Sequence, residues 1–247
     1  MDRSFLSDAG VIAQSRDFVC VRLATFEDKK ETTFTHSLYS TRRTPQVNTV
    51  FTILAPDGKT PLLAPGRSPS HTLGSDDPKT LVAAMKRIAA KYRARHRSAT
   101  PPIPYGIDLR RSLNVAACDM QLLVVVVAKS KAKRKSIEKT LAPLVWSKEL
   151  VDVLAYATAK PDELKALQGA KPVEGVFVVV AGPYGLKGNV VAFATGTSAS
   201  TLKTALKKAI AEFDPQAKDS IRHIRDARWL GIEWEPEVKS PYSRPRR

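Results

Sequence analysis

Apolar residues along this chain switch between helix-like and strand-like spacing, and the same order of patterns occurs twice. In the first stretch, Phe5, Leu6, Val11 and Ile12 share one side of a short predicted helix, Ser4–Ser15. The β-branched run Asp17–Leu23 predicts a strand, with Phe18, Cys20 and Arg22 at alternating positions. The polar stretch Glu27–Tyr39 reads as a helix. Thr49–Leu54 reads as a strand, and Pro56-Asp57-Gly58-Lys59 as the turn of a hairpin completed by Pro61–Ala64. Asp77-Pro78 starts a helix in which Leu81, Val82, Met85, Ile88, Ala89 and Tyr92 recur every three or four positions.

The second stretch follows Ser98–Ile107, where Pro101, Pro102 and Pro104 forbid a helix and predict a linker. Gln121–Ala128 is a continuous apolar run, the pattern of a strand buried on both faces. Lys131–Val145 reads as a helix with Ile137, Leu141 and Leu144 inward, bent or ended by Pro143. Val151–Ala157 reads as a strand, Pro161–Gln168 as a short helix and Gly175–Ala181 as a strand. The glycine-rich Gly182–Gly188 joins that strand to Asn189–Ala194 as a hairpin, and Thr201–Phe213 is the last predicted helix. Strands that alternate with helices pair in parallel, whereas a turn-linked pair is antiparallel. The expected architecture is α/β, a mixed sheet with helices on both faces, in each half. The expected boundaries are a first domain over 1–97, a linker over 98–112, a second domain over 113–214 and a basic tail over 215–247.

Charge changes the picture next. The 247 residues hold 40 Lys and Arg against 24 Asp and Glu, a net charge of +16. The excess lies mainly between residues 51 and 150. Lys86, Arg87, Arg93, Arg95 and Arg97 form one cluster, and Lys131, Lys133, Arg134 and Lys135 another. Both suit a nucleic acid or another acidic surface. Both equally suit a solvated helix face, because Tyr92 is the one aromatic residue within the first cluster and stacking platforms need more. With two cysteines, Cys20 and Cys118, a disulfide framework and an all-cysteine zinc site are excluded. No apolar run approaches the roughly 20 residues of a membrane span. The chain as written predicts a cytoplasmic protein.

The order of elements resembles the thioredoxin-like superfamily. Met1–Leu23 is similar to the part of such proteins just after the redox motif, and Thr49–Lys59 to their later hairpin, with its Pro-Asp-Gly-Lys turn. The resemblance implies two tandem thioredoxin-like domains. It also implies a Cys-x-x-Cys at the start of the first long helix, where the helix N-terminus favours a thiolate. No such motif occurs in this chain. In the second half, Lys129-Ser130-Lys131-Ala132-Lys133 occupies that place. The proline that the family sets before its hairpin strand is replaced by Asn48 and Glu174.

The functional expectation is therefore a non-catalytic binding or assembly module, without a cofactor, whose partner is another protein. Two alternatives stay open. One is a thiol-disulfide oxidoreductase, exported, with its signal and motif upstream of Met1. The other is a nucleic-acid-binding protein that uses the basic clusters. Cys118 and Cys20 are weak thiol candidates: Cys20 is expected to be a buried small hydrophobe in a strand, and Cys118 precedes Asp119 and the apolar run. His36 and His71 read as surface residues. Trp229–Trp234 is apolar enough to dock on the body, and Pro236–Arg247 reads as an extended arm.

Overall fold

The computed structural model describes residues 5–23, 25–39, 49–92, 100–147, 149–150, 153–196, 198–215, 219–233 and 236–238. The chain divides into two compact units, Met1–His96 with Trp234–Arg247, and Arg97–Glu233.

The first unit holds four helices among the described residues: α1 (Ala9–Ser15), α2 (Lys29–Leu38), α3 (Pro69–Leu73) and α4 (Pro78–Lys91). Each begins at a residue whose side chain can accept from free backbone amides: Asp8, Asp28, Ser68 and Asp77. Pro69 and Pro78 occupy first-turn positions, where a missing N–H costs nothing. Phe5, Val11, Ile53, Leu81, Met85 and Ile88 make the core, so α4 buries the face that its spacing predicts.

The sheet expected in this half is not present among the described residues. Asp17 and Phe18 form a turn after α1, Val19–Leu23 belong to no strand, and Val19 and Val21 are 79% and 72% exposed. β-branched residues favour extended backbone, but a strand also needs a neighbouring strand to receive its hydrogen bonds. Thr49–Leu54 forms no continuous ladder with Pro61–Ala64: one isolated bridge joins Leu54 to Pro61, and another joins Phe51 to Gly66, beyond the predicted partner. Pro61 and Pro65 lack the amide donors that a continuous ladder needs. Between the bridges the Leu62 N–H donates to the Ile53 carbonyl, and on the turn side of Leu54–Pro61 the Ala55 N–H donates to that of Thr60.

The second unit is built on a mixed sheet. Its elements run α5 (Leu109–Asp119), β1 (Leu122–Val127), α6 (Lys131–Val145), β2 (Leu154–Ala159), a 3-10 helix (Pro161–Ala166), β3 (Leu167–Gln168), β4 (Gly175–Ala181), β5 (Gly188–Ala194), α7 (Ala199–Glu212) and α8 (Ser220–Trp229). The sheet order is β2-β1-β4-β5-β3. β1 pairs with β2 in parallel and with β4 antiparallel, β4 with β5 antiparallel, and the short β3 with the start of β5 in parallel.

All six residues of β1 are buried. Alternation explains why the run is uniformly apolar, because both faces are covered. Leu122, Val124 and Val126 join Ile137 and Leu141 of α6 and Leu202 and Leu206 of α7. Leu123, Val125 and Val127 join Leu109, Leu113 and Ala116 of α5 on the other face. Helices thus lie on both sides of this sheet, as the pattern predicts.

Four local outcomes differ from the sequence reading. Leu167 and Gln168, predicted as the end of the short helix Pro161–Gln168, leave the 3-10 helix at Ala166 and form β3. Residues 109–119, placed across the linker and the start of the second domain, form α5, capped by Asp108 Oδ1 on the Arg111 N–H. The proline-rich stretch before it is held against α6: the Trp146 indole N–H donates to the Pro101 carbonyl at 2.9 Å, and Ile103 is buried. Residues 220–229 form α8, in which His223, Asp226 and Ala227 are half-buried. Trp229 lies away from those positions and is 93% exposed, so it does not dock. Trp234 and most of the predicted arm lie outside the described residues. Of the described part, the Val238 N–H donates to the Phe26 carbonyl within the first unit.

Candidate functional site

The parallel strands β1 and β2 end side by side at Val127 and Ala159. In open α/β sheets, crevices outside the carboxyl ends of parallel strands are where ligands collect. Here a groove of about 780 Å³ occupies that position. The start of α5, the β1–α6 connection and the turn from β2 into the 3-10 helix line it.

Local capping sets its shape. Ser130 caps α6 by accepting from the Lys133 N–H. Glu163 Oε2 accepts from the Lys160 N–H at 2.6 Å and closes the start of the 3-10 helix. Glu174, just ahead of β4, accepts from the Lys129 N–H and ties the β1–α6 connection to the neighbouring strand.

Charge is distributed unevenly around the groove. Arg110, Lys129, Lys131, Arg134 and Lys160 line it, against Asp108 and Glu163. Both carboxylates are engaged at helix starts, and Asp108 also lies 3.5 Å from Arg111 Nε. Arg134 pairs with Glu138 at 3.3 Å. The ammonium groups of Lys129, Lys131 and Lys160 make no ion pair among the described residues. Leu109 and Ala159 supply buried apolar lining, while Ile107 and Leu186 line the groove yet remain 49% and 37% exposed.

A second cavity, of about 410 Å³, lies between the proline-rich stretch and α6. Pro102, Tyr105, Lys135 and Lys139 line it. Burial, with Glu138 beside it, pushes the Tyr105 phenol well above its ordinary range.

The residues singled out from sequence fall in different places. Lys131 and Arg134 line the groove, Lys135 lines the second cavity, and Lys133 lines neither. Lys86 and Arg87 are exposed on α4 in the first unit. Arg93, Arg95 and Arg97 lie outside the described residues, as does Asn48. Cys20 is exposed, outside any strand and in no disulfide, with its thiol 3.8 Å from the Ser15 carbonyl oxygen, which corrects its expected burial in a strand. Cys118 is also free and exposed, on α5, with its thiol 3.9 Å from Asn114 Oδ1. Neither cysteine lines the groove. Arg110 and Lys160 belong to the groove but are not among the residues singled out. The Asp108 cap and the Lys160-Pro161 step mark the helix starts that carry them.

Among the described residues, no group of three or more His, Cys, Asp and Glu is placed to hold a metal ion. No described helix is long and apolar enough to cross a membrane. Comparison with family models, with curated proteins and with solved structures found no match.

Proposed function

We propose that the second unit is a thioredoxin-like binding module that works without dithiol chemistry. The observation that carries this reading is the β1–α6 connection. Where the thioredoxin-like order expects a pair of thiols at the start of the helix, this chain has Ser130 as the cap and Lys133 three residues on. The sheet order supports the fold side of the proposal. β1 and β2 are parallel across the α6 crossover, β4 and β5 form an antiparallel hairpin beside β1, and α7 follows. Glu174 stands where the family sets a proline, and it holds the β1–α6 connection by a hydrogen bond. The extension to a tandem arrangement, with residues 1–97 as a second such domain, rests on the resemblance of Met1–Leu23 and Thr49–Lys59 alone. Fold does not fix chemistry, so the missing thiols, not the topology, direct the reading toward binding.

The test is catalytic reduction of a protein disulfide with dithiothreitol as electron donor. The expected rate is that of dithiothreitol alone, for the wild type and for Cys20→Ser/Cys118→Ser. Turnover above that rate by the wild type overturns the proposal.

A further inference from the structure

We propose that the groove at the carboxyl ends of β1 and β2 receives an acidic, partly apolar peptide segment of a protein partner. This rests on the reading of the unit as a binding module and names what it binds. Lys129, Lys131 and Lys160, which make no ion pair among the described residues, come from the β1–α6 connection, the start of α6 and the turn after β2, and line one groove. Exposed ammonium groups so placed raise the local concentration of anions. The two carboxylates in the lining, Asp108 and Glu163, keep their charge, but five cationic side chains outnumber them, so the groove stays cationic.

The apolar part of the lining decides the kind of anion. Ile107 and Leu186 hold aliphatic surface open to solvent beside the lysines. Covering such surface is favourable by about 25 cal/mol for each Å² removed from water. A peptide that carries carboxylates and aliphatic or aromatic side chains matches both halves of that surface. A nucleic acid matches only the charge, since no aromatic residue among those described lines the groove to stack on bases. The volume, about 780 Å³, is that of a ligand-sized cleft, room for a few side chains of such a segment.

The experiment uses the full chain, immobilised, and a library of eight-residue peptides in which Asp or Glu alternates with Leu, Phe or Ala. A neutral library with Gln or Asn at the same positions is the reference, and an oligodeoxythymidylate is the competing probe. Acidic peptides are expected to be enriched on the wild type, and the best of them to weaken as salt rises. Lys129→Glu/Lys160→Glu is expected to lower its affinity at least tenfold, and Leu186→Asp to lower it too. Lys129→Gln/Lys160→Gln gives a milder loss and serves if the charge reversal does not fold. Lys86→Glu/Arg87→Glu, in the other unit, is expected to leave binding unchanged.

Three results overturn the inference: enrichment no better than the neutral library, equal binding by the folded groove variants, or tighter binding of the oligonucleotide than of any peptide. Absence of peptide binding together with absence of disulfide turnover removes this inference alone. Disulfide turnover removes the non-dithiol reading whatever the peptides do.

Discussion

The carboxylate of Glu174 accepts a hydrogen bond from the backbone N–H of Lys129 at 2.7 Å, across 45 residues of chain. The contact fastens the β1–α6 connection to the segment that enters β4, and so fixes one wall of the cationic groove. A hydrogen bond of this kind contributes about 0.5–1.5 kcal/mol net, toward the low end where water competes. Glu174→Ala is therefore expected to lower stability by no more than about 1 kcal/mol. Its clearer effect is local. The Lys129 amide is expected to exchange with solvent faster in Glu174→Ala, while the amides of β1 stay protected. Glu174→Gln, which keeps an acceptor oxygen, is expected to stay close to wild type. Unchanged exchange at Lys129 in Glu174→Ala counts against this tether.

Gly175 follows Glu174 and has φ +156°, a conformation that L side chains rarely adopt. A Cβ there meets the Ala194 carbonyl oxygen and the Phe193 ring, both at 2.6 Å. The backbone oxygen belongs to the paired strand and has little room to retreat. Gly175→Ala is expected to cost at least the 1–3 kcal/mol typical of a strained backbone, roughly, with the clash added. Gly74 also has a positive φ, +65°, but a Cβ there has nothing within 4 Å. Denaturant midpoints are expected to fall more for Gly175→Ala than for Gly74→Ala. The reverse order contradicts the packing argument.

The parts of this architecture legible in the sequence are those where one residue type serves one environment. β1 is readable because burial on both faces leaves no polar position in Leu122–Val127. α6 and α4 are readable because a cap, Ser130 or Asp77, precedes a regular apolar spacing. α5 carries the same signal, with Asp108 as cap and Leu109, Leu113 and Ala116 inward, but the prolines just before it dominate a local reading. Cys20 fails for a different reason. Its neighbours favour extended backbone, yet a strand is a property of two segments, and the second is not visible from Val19 and Val21. The groove is half legible for the same reason. Lys131 and Arg134 stand in one run, while Arg110 and Lys160 reach it only when α5 and the 3-10 helix are folded beside it.

Trp146 ties the proline-rich stretch to α6 through its indole N–H and the Pro101 carbonyl. A second tether follows, from the Gly106 N–H to the Tyr156 carbonyl at 2.9 Å. Trp146→Phe keeps most of the ring and deletes the donor. The Pro101 carbonyl then turns to water, so the global cost is expected to be small, about 0.5–1 kcal/mol. Hydrogen exchange is expected to quicken at Ile103 and Tyr105, while the amides of β1 and β2 do not change. Equal exchange in both proteins shows that this hydrogen bond does not hold the stretch in place.

Asp57 organises the turn closed by the Leu54–Pro61 bridge of the first unit. Its Oδ1 accepts from the Lys59 and Thr60 amides at 2.8 and 2.9 Å, and its Oδ2 from the Thr60 hydroxyl at 2.6 Å. The Thr60 hydroxyl is the largest cause, ahead of the two amides, of a carboxyl pKa lowered from 3.8 to about 2. A carboxyl lowered on folding binds its proton more readily in the unfolded chain. Its stabilising contribution is therefore complete above about pH 4 and lost as the pH falls toward 2. Asp57→Asn removes this titration. The variant is expected to be less stable than wild type at neutral pH, and the gap is expected to close between pH 4 and pH 2. Urea midpoints of the two proteins at pH 7, 4, 3 and 2 provide the check. A gap that stays constant down to pH 2 means that the turn is not held by the charged form of Asp57.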